Sequence, residues 1–341
     1  MSSHTPRALA IGSGEEASQA ATGMLARHNA VDAVVAGVFA AAGAHAGVLL
    51  GPVQLLIAGG GAGIRAVDGR GRQPGSGAAR PRGFRPEDEI APAARVAVPS
   101  LPAALATTLA TFGSAPLSRV LGPAVDIAKR LSPPRAALLE AMGRRGPTFG
   151  AAGFADDLVH AVGRLAGGLL TREDLDEARP ALLAVDLTTI GSRQTLTVPW
   201  DTGALRDPAA RAADSLHTHV LAAMDSRGLV AIACYEVPDD GLAVDSLGLL
   251  APFGAAPVLR GEPRVTPGEP RGAAAPVALV EADGVVCLAI GIATTPQAER
   301  ILGNWLETVD PFEAAAPEQG RVIGMIRTAA GITSLRRTLA G

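Results

Sequence analysis

The chain has 341 residues, 48% of them apolar, and a formal net charge of -3 from 30 basic and 33 acidic residues. That apolar content is ample for a buried core, and the charges are interspersed, with no long run of one sign to follow a phosphate backbone, so nucleic acid is not an expected partner. Two cysteines, Cys234 and Cys287, supply neither a disulfide framework nor a metal-ligand cluster, which suits a reduced compartment.

At the start, Gly12 to Glu16 interrupts any apolar run of the length an export signal needs, so a cytoplasmic protein is expected. From Glu15 to Ala42 apolar residues recur at roughly helical spacing and small residues dominate, which predicts two closely packed helices with Asn29 and Asp32 near their junction. The stretch from Ala30 to Ala58 approaches the hydropathy of a membrane span. It also holds Asp32, His45, Pro52 and several glycines, so a buried helix followed by a strand is expected and a membrane is not. Val53 to Ala58 and Ile64 to Val67, separated by Gly59 to Gly63, read as a β-hairpin. The glycine run lacks a P-loop lysine and reads as a turn rather than a phosphate cradle. From Gln73 to Arg95 glycine, proline and arginine crowd into a loop.

Helices are predicted from Leu101 to about Leu131 and from Ala136 to Leu165, broken at Pro116, Pro133 and Pro134. Thr171 to Asp176 reads as a helix start with acids in its first turn. Beyond it the pattern changes to β-branched runs at Leu182 to Thr188, Gln194 to Val198, His219 to Met224, Leu229 to Val237, Pro276 to Glu281 and Val285 to Ile292. Asp225 to Gly228 and Glu281 to Gly284 predict tight hairpin turns. Helical signals at Pro296 to Val309 and from Arg321 onward close the chain. Helices first, then an antiparallel sheet with a closing helix, is a layered α+β pattern.

Several segments, in order along most of the chain, resemble the γ-glutamyltranspeptidases. Ala17 to Val38, containing GMLARHNAVDAVVAGV, is similar to that family's opening helix pair with its GGNAVDAAVA-type run. Asp68-Gly-Arg70 resembles the segment before the family's substrate-binding arginine, Val98 to Ala128 its VPGxVAGL stretch, and Gly167 to Pro180 its GGLIT-x-EDL segment. The resemblance implies a four-layer αββα sandwich of the N-terminal-nucleophile hydrolase type, reduced in size. It further implies one domain over 1–341, with a helical, large-subunit-like part over 1–214 and a β-rich, small-subunit-like part over 215–341, and no cofactor.

The family's chemistry begins at a threonine that opens a strand, within a Thr-Thr-His triplet. Placing His219 on the triplet's histidine puts Thr218 on its second threonine and His217 on the nucleophile, where an imidazole cannot form the ester that self-cleavage requires. Thr218 would then point to the opposite face of the sheet and could take over only with the register slipped by one. Supporting positions depart as well: Cys234 to Pro238 stands at Thr-x-Thr-x-Asn, Gly272 to Pro276 at the paired serines, Thr294 to Ala298 at the Pro-Gly-Gly-Ser oxyanion loop, and Leu49 to Pro52 at a four-glycine run. The substrate-binding arginine matches Arg80 or, with a small shift, Arg82.

Ser215, His217, Thr218 and His219 form the densest cluster of reactive groups, to be weighed against a polar strand opening that satisfies local backbone. His217 and His219 lie two apart and, with an acid such as Asp239, have the geometry of a metal site, but spacing indicates no third ligand. Cys234, beside Ile232 and Ala233, reads as a buried structural thiol rather than a substitute nucleophile. Glu236 projects either into the old substrate pocket or onto a sheet edge. Three functions follow. The leading one is an unprocessed pseudoenzyme that binds a small, amino-acid-like molecule or runs a non-family reaction. The others are an active amidohydrolase or acyltransferase using Thr218, and a structural subunit that pairs with a related chain or with itself.

Overall fold

The computed structural model describes residues 6–79, 81–177, 179–190, 193–200, 217–295, 298–307 and 320–339. Strand β1 (Leu9–Gly12) leads into α1 (Glu15–Leu25) and α2 (Ala30–Ala44), and a hairpin of β2 (Val53–Ala58) and β3 (Ile64–Gly69) follows. Helices α3 (Leu101–Phe112), α4 (Leu117–Leu131), α5 (Pro133–Arg145), α6 (Phe149–Ala152), α7 (Ala155–Val162) and α8 (Arg172–Glu177) make up most of the next hundred residues. Pro116 precedes α4, and Pro133 and Pro134 occupy the first turn of α5, where a missing N–H costs nothing, while Pro123 lies inside α4.

The strands build two six-stranded sheets. Sheet 1 has the order β1-β7-β8-β2-β3-β4, with β4 at Ala181–Leu183, β7 at Thr218–Met224 and β8 at Val230–Glu236. Sheet 2 runs β14-β13-β12-β11-β6-β5, made from β5 (Asp186–Ile190), β6 (Arg193–Thr197), β11 (Val277–Ala282), β12 (Val285–Ala293), β13 (Gly320–Thr328) and β14 (Gly331–Leu339). A two-stranded ribbon, β9 (Leu242–Val244) with β10 (Leu249–Ala251), stands apart, and α9 (Ala298–Glu307) covers sheet 2. Every pairing between these strands is antiparallel.

Three apolar layers hold the sandwich together. Helices α1 to α7 pack on one face of sheet 1 through Val34, Val38, Leu105 and Leu121 against Leu55, Leu221 and Ala233. Leu56, Val220, Ala222, Met224, Ile232 and Cys234 fill the space between the sheets, meeting Leu196, Leu279, Ala289, Ile323 and Met325. Ile290, Ile292, Leu302 and Trp305 seat α9 on the outer face of sheet 2. Fully burying each Val, Leu, Ile or Met side chain among them contributes about 1.5–3 kcal/mol. Helix α2 is buried on all sides from Ala30 to Gly43, and its small residues permit that: a Cβ at Gly37 would lie 2.6 Å from the Ala17 carbonyl oxygen, and one at Gly43 2.3 Å from that of Ala124.

Two expectations are corrected. The region from Arg321 onward is the β13–β14 hairpin, not a helix. Ile323, Met325 and Ile332 face sheet 1 while Val322 faces α9, a period of two, and the turn uses Gly331 at φ 139, a conformation no helix accommodates. Leu182 to Thr188 is two strands rather than one, because the chain leaves β3 in sheet 1 and joins β6 in sheet 2 within it. Strand β1 and the β9–β10 ribbon were not foreseen. Among the described residues no helix is long and apolar enough to cross a membrane.

Candidate active site

The β7–β8 hairpin is fixed by its turn. Asp225 Oδ1 accepts from the N–H groups of Arg227 (2.8 Å) and Leu229 (3.1 Å), Gly228 takes φ 93, and Arg327 donates to the Asp225 carbonyl at 3.0 Å. The ladder that results pairs Thr218 with Glu236, His219 with Tyr235 and Val220 with Cys234. Strand β7 therefore opens at Thr218, with His217 in the turn just before it.

Alternation along β7 then sorts the cluster onto two faces. Thr218 has the parity of Val220, Ala222 and Met224, which pack between the sheets, and it is 1% exposed. Glu236 stands directly opposite it in the ladder on that face. Two backbone bonds pin this end of the strand: the Val237 N–H donates to the His217 carbonyl at 2.9 Å, and the Thr294 N–H donates to the Thr218 carbonyl at 3.0 Å. The second bond ties the two sheets together through Thr294, a non-glycine residue at φ 58.

His219 lies on the helix face. Its Nδ1 is 3.1 Å from the Ser13 hydroxyl oxygen, which also accepts the Val220 N–H at 3.0 Å, and its ring sits 5.7 Å from that of Tyr235. Burial, with smaller contributions from His45, Arg321 and His217, lowers its pKa to about 4, so the imidazole is neutral at pH 7. His217 points elsewhere and meets the exposed Asp239 at 3.3 Å. Hence the structure divides His217, Thr218 and His219 instead of gathering them, and among the described residues no three metal-ligating side chains converge.

Cys234, on the inter-sheet face, is 1% exposed, with its Sγ 3.5 Å from the Ala274 carbonyl oxygen. Burial first, then Glu299 and Glu236, push its thiol up, the opposite of an activated nucleophile. Arg82 is exposed in the irregular segment before Phe84, and Arg80 and Ser215 lie outside the described residues. The arginine held at sheet 1 is Arg70, forked onto Asp68 at 2.9 and 3.0 Å and stacked 4.9 Å above the Trp200 ring. Gln54, wholly inside, donates to the Ala274 carbonyl at 2.7 Å and accepts from the Trp200 indole, while Glu299 takes the Ala275 N–H at 2.8 Å. Ser13, Gln54 and Glu299 were not singled out from sequence, since each lies far along the chain from the residue it serves.

Two antiparallel sheets packed face to face and backed by helices form a four-layer αββα sandwich, the fold of the N-terminal-nucleophile hydrolases. Among solved structures, cephalosporin acylase from Bacillus halodurans is similar over 98% of this chain and 94% of its own, with TM-score 0.73 at 14% identity. The protein LmbA2991HD is similar over 98% and 96%, with TM-score 0.69 at 15% identity. A γ-glutamyltranspeptidase from Pseudomonas nitroreducens covers 56% of this chain and 71% of its own, with TM-score 0.46 at 20% identity. No protein-family model matches the sequence, and no curated protein does.

Proposed function

We propose that this chain is an amide-bond hydrolase or acyl transferase whose nucleophile is Thr218, freed by cleavage of the His217–Thr218 bond. The observation that carries the reading is the hydroxyl-bearing residue at the first position of β7, on the inter-sheet face, with a carboxylate opposite it in the ladder. In self-cleavage the Thr218 Oγ attacks the His217 carbonyl carbon, the C–N bond breaks, and the resulting ester is hydrolysed by water to leave a free α-amine. The Val237 N–H, already 2.9 Å from that carbonyl oxygen, is placed to stabilise the negative charge that develops on it. The α-amine then accepts the hydroxyl proton as Thr218 attacks a substrate amide, and Glu236 is the carboxylate on hand to hold the ammonium. The leaving amine takes that proton, and water or an acceptor amine releases the acyl group. A cephalosporin acylase shares this fold, which supports small acyl amides as the substrate class.

A second reading, the unprocessed binding protein, is favoured by two backbone donors already engaged inside the chain, Thr294 N–H by the Thr218 carbonyl and Ala275 N–H by Glu299. A denaturing gel with N-terminal sequencing separates the two. Thr218 at the amino terminus of the smaller of two pieces, and a chain left whole by Thr218→Ala, are the expected results. A single wild-type band near 34.3 kDa overturns the Thr218 reading and favours the unprocessed protein.

A further inference from the structure

On the other side of β7 from Glu236, where β1 edges sheet 1, lies a cavity of about 690 Å³ walled by Ser13 to Glu15, the outer turns of α1, and Arg321 and Arg336 of sheet 2. The ladder sets Arg336 opposite Ile323, so Arg321 and Arg336 are diagonal neighbours on one face, the face that Ile323 and Ile332 bury against sheet 1. Arg321 is oriented by its own bond from Nη1 to the Ser13 carbonyl at 2.8 Å. Among the described residues neither arginine has an ion-pair partner. Glu15, the one carboxylate in the lining, accepts from Gln19 Nε2 at 2.9 Å. Two guanidiniums thus line one cavity whose only lining carboxylate is Glu15. Each fork matches two oxygens of an oxyanion, and like charges brought this close are eased most by a ligand carrying opposite charge to both.

We infer that this cavity binds a small dianion whose oxyanion groups bridge Arg321 and Arg336, as a dicarboxylate or a phosphate would. The site is separate from the Thr218 chemistry and stands or falls without it. Its wall nevertheless reaches β7, since Ser13 offers its carbonyl to Arg321 and its hydroxyl to Val220 and His219.

The test is calorimetric titration of the full-length Thr218→Ala protein, in which processing cannot intervene, with succinate, inorganic phosphate and the neutral succinamide. Binding of succinate, phosphate or both is expected, with at least a tenfold weaker affinity in Arg336→Gln and no binding of succinamide. Arg336 is exposed, so its variant should melt at the parent temperature without ligand, which separates lost recognition from lost folding. A preference for succinate names a dicarboxylate and a preference for phosphate a phosphoryl ligand. Absence of binding at millimolar concentration, equal binding by Arg336→Gln, or succinamide binding as well as succinate overturns the inference.

Discussion

Asp32 offers the sharpest check on how the helical layer is held. Its carboxylate is wholly buried, accepting Ser114 N–H and Ala115 N–H on Oδ1 at 2.8 and 3.0 Å, and Asn29 N–H and the Ser114 hydroxyl on Oδ2 at 3.1 and 2.6 Å. It thereby closes a capping box with Asn29 and fastens the start of α2 to the α3–α4 connection, where the Asn29 amide also donates to the Phe112 carbonyl at 2.8 Å. Asp32→Ala strands three backbone donors. Ala115 is buried, whereas Ser114 is exposed and Asn29 partly so, so the first loses about 2 kcal/mol and the others nearer 1 kcal/mol each, about 4 kcal/mol together. Asp32→Asn keeps one acceptor oxygen and turns an NH2 toward N–H groups, so about half that loss is expected. For a chain of this length the larger change lowers Tm by roughly 6 °C, measured alongside guanidinium unfolding at constant slope. A loss below about 1 kcal/mol for Asp32→Ala would show that water replaces the carboxylate and that the junction is not pinned as described.

His219 predicts a pH dependence. Its folded pKa of about 4 lies below the unfolded value of 6.5, so protonation favours the unfolded chain; its stabilising effect is complete above pH 6.5 and is lost as pH falls toward 4. The loss amounts to roughly 3 kcal/mol, and it should vanish in His219→Gln; an NMR titration of this imidazole near pH 6.5 would contradict the burial argument. Cys234 is expected to resist a thiol reagent in the folded protein and to react only on unfolding, while the less buried Cys287 reacts first. Rapid native labelling assigned to Cys234 by peptide mapping would contradict its placement between the sheets.

Much of the architecture was readable where one period dominates a segment. The α1–α2 pair, the β2–β3 hairpin and the β7–β8 hairpin each carry their turn chemistry within the same short stretch, in Asn29 and Asp32, in Gly59 to Gly63, and in Asp225 to Gly228. The last hairpin misled because RVIGMIRT also spaces apolar residues in a helix-like way, and only pairing with β12 decides the period. At the site, Thr218 and the histidines were visible as residue types, but their grouping was not. One residue of register decides which of them share a face, and that register is set by Asp225 and the ladder to β8 rather than by the triplet itself. Ser13 and Arg321 were hidden for a simpler reason: sequence does not say that β1 and β13 converge beside β7.

The strand order of sheet 1 carries a consequence for biosynthesis. Because β7 and β8 lie between β1 and β2, the middle of that sheet is the last part of it to leave the ribosome. Until then β1 and β2 each display an unmatched rim of amides and carbonyls, with most of the helices already made and waiting. A nascent or truncated chain that stops short of Thr218 should therefore be sticky rather than merely incomplete, and the hairpin that completes the sheet is also what keeps the molecule from joining its neighbours.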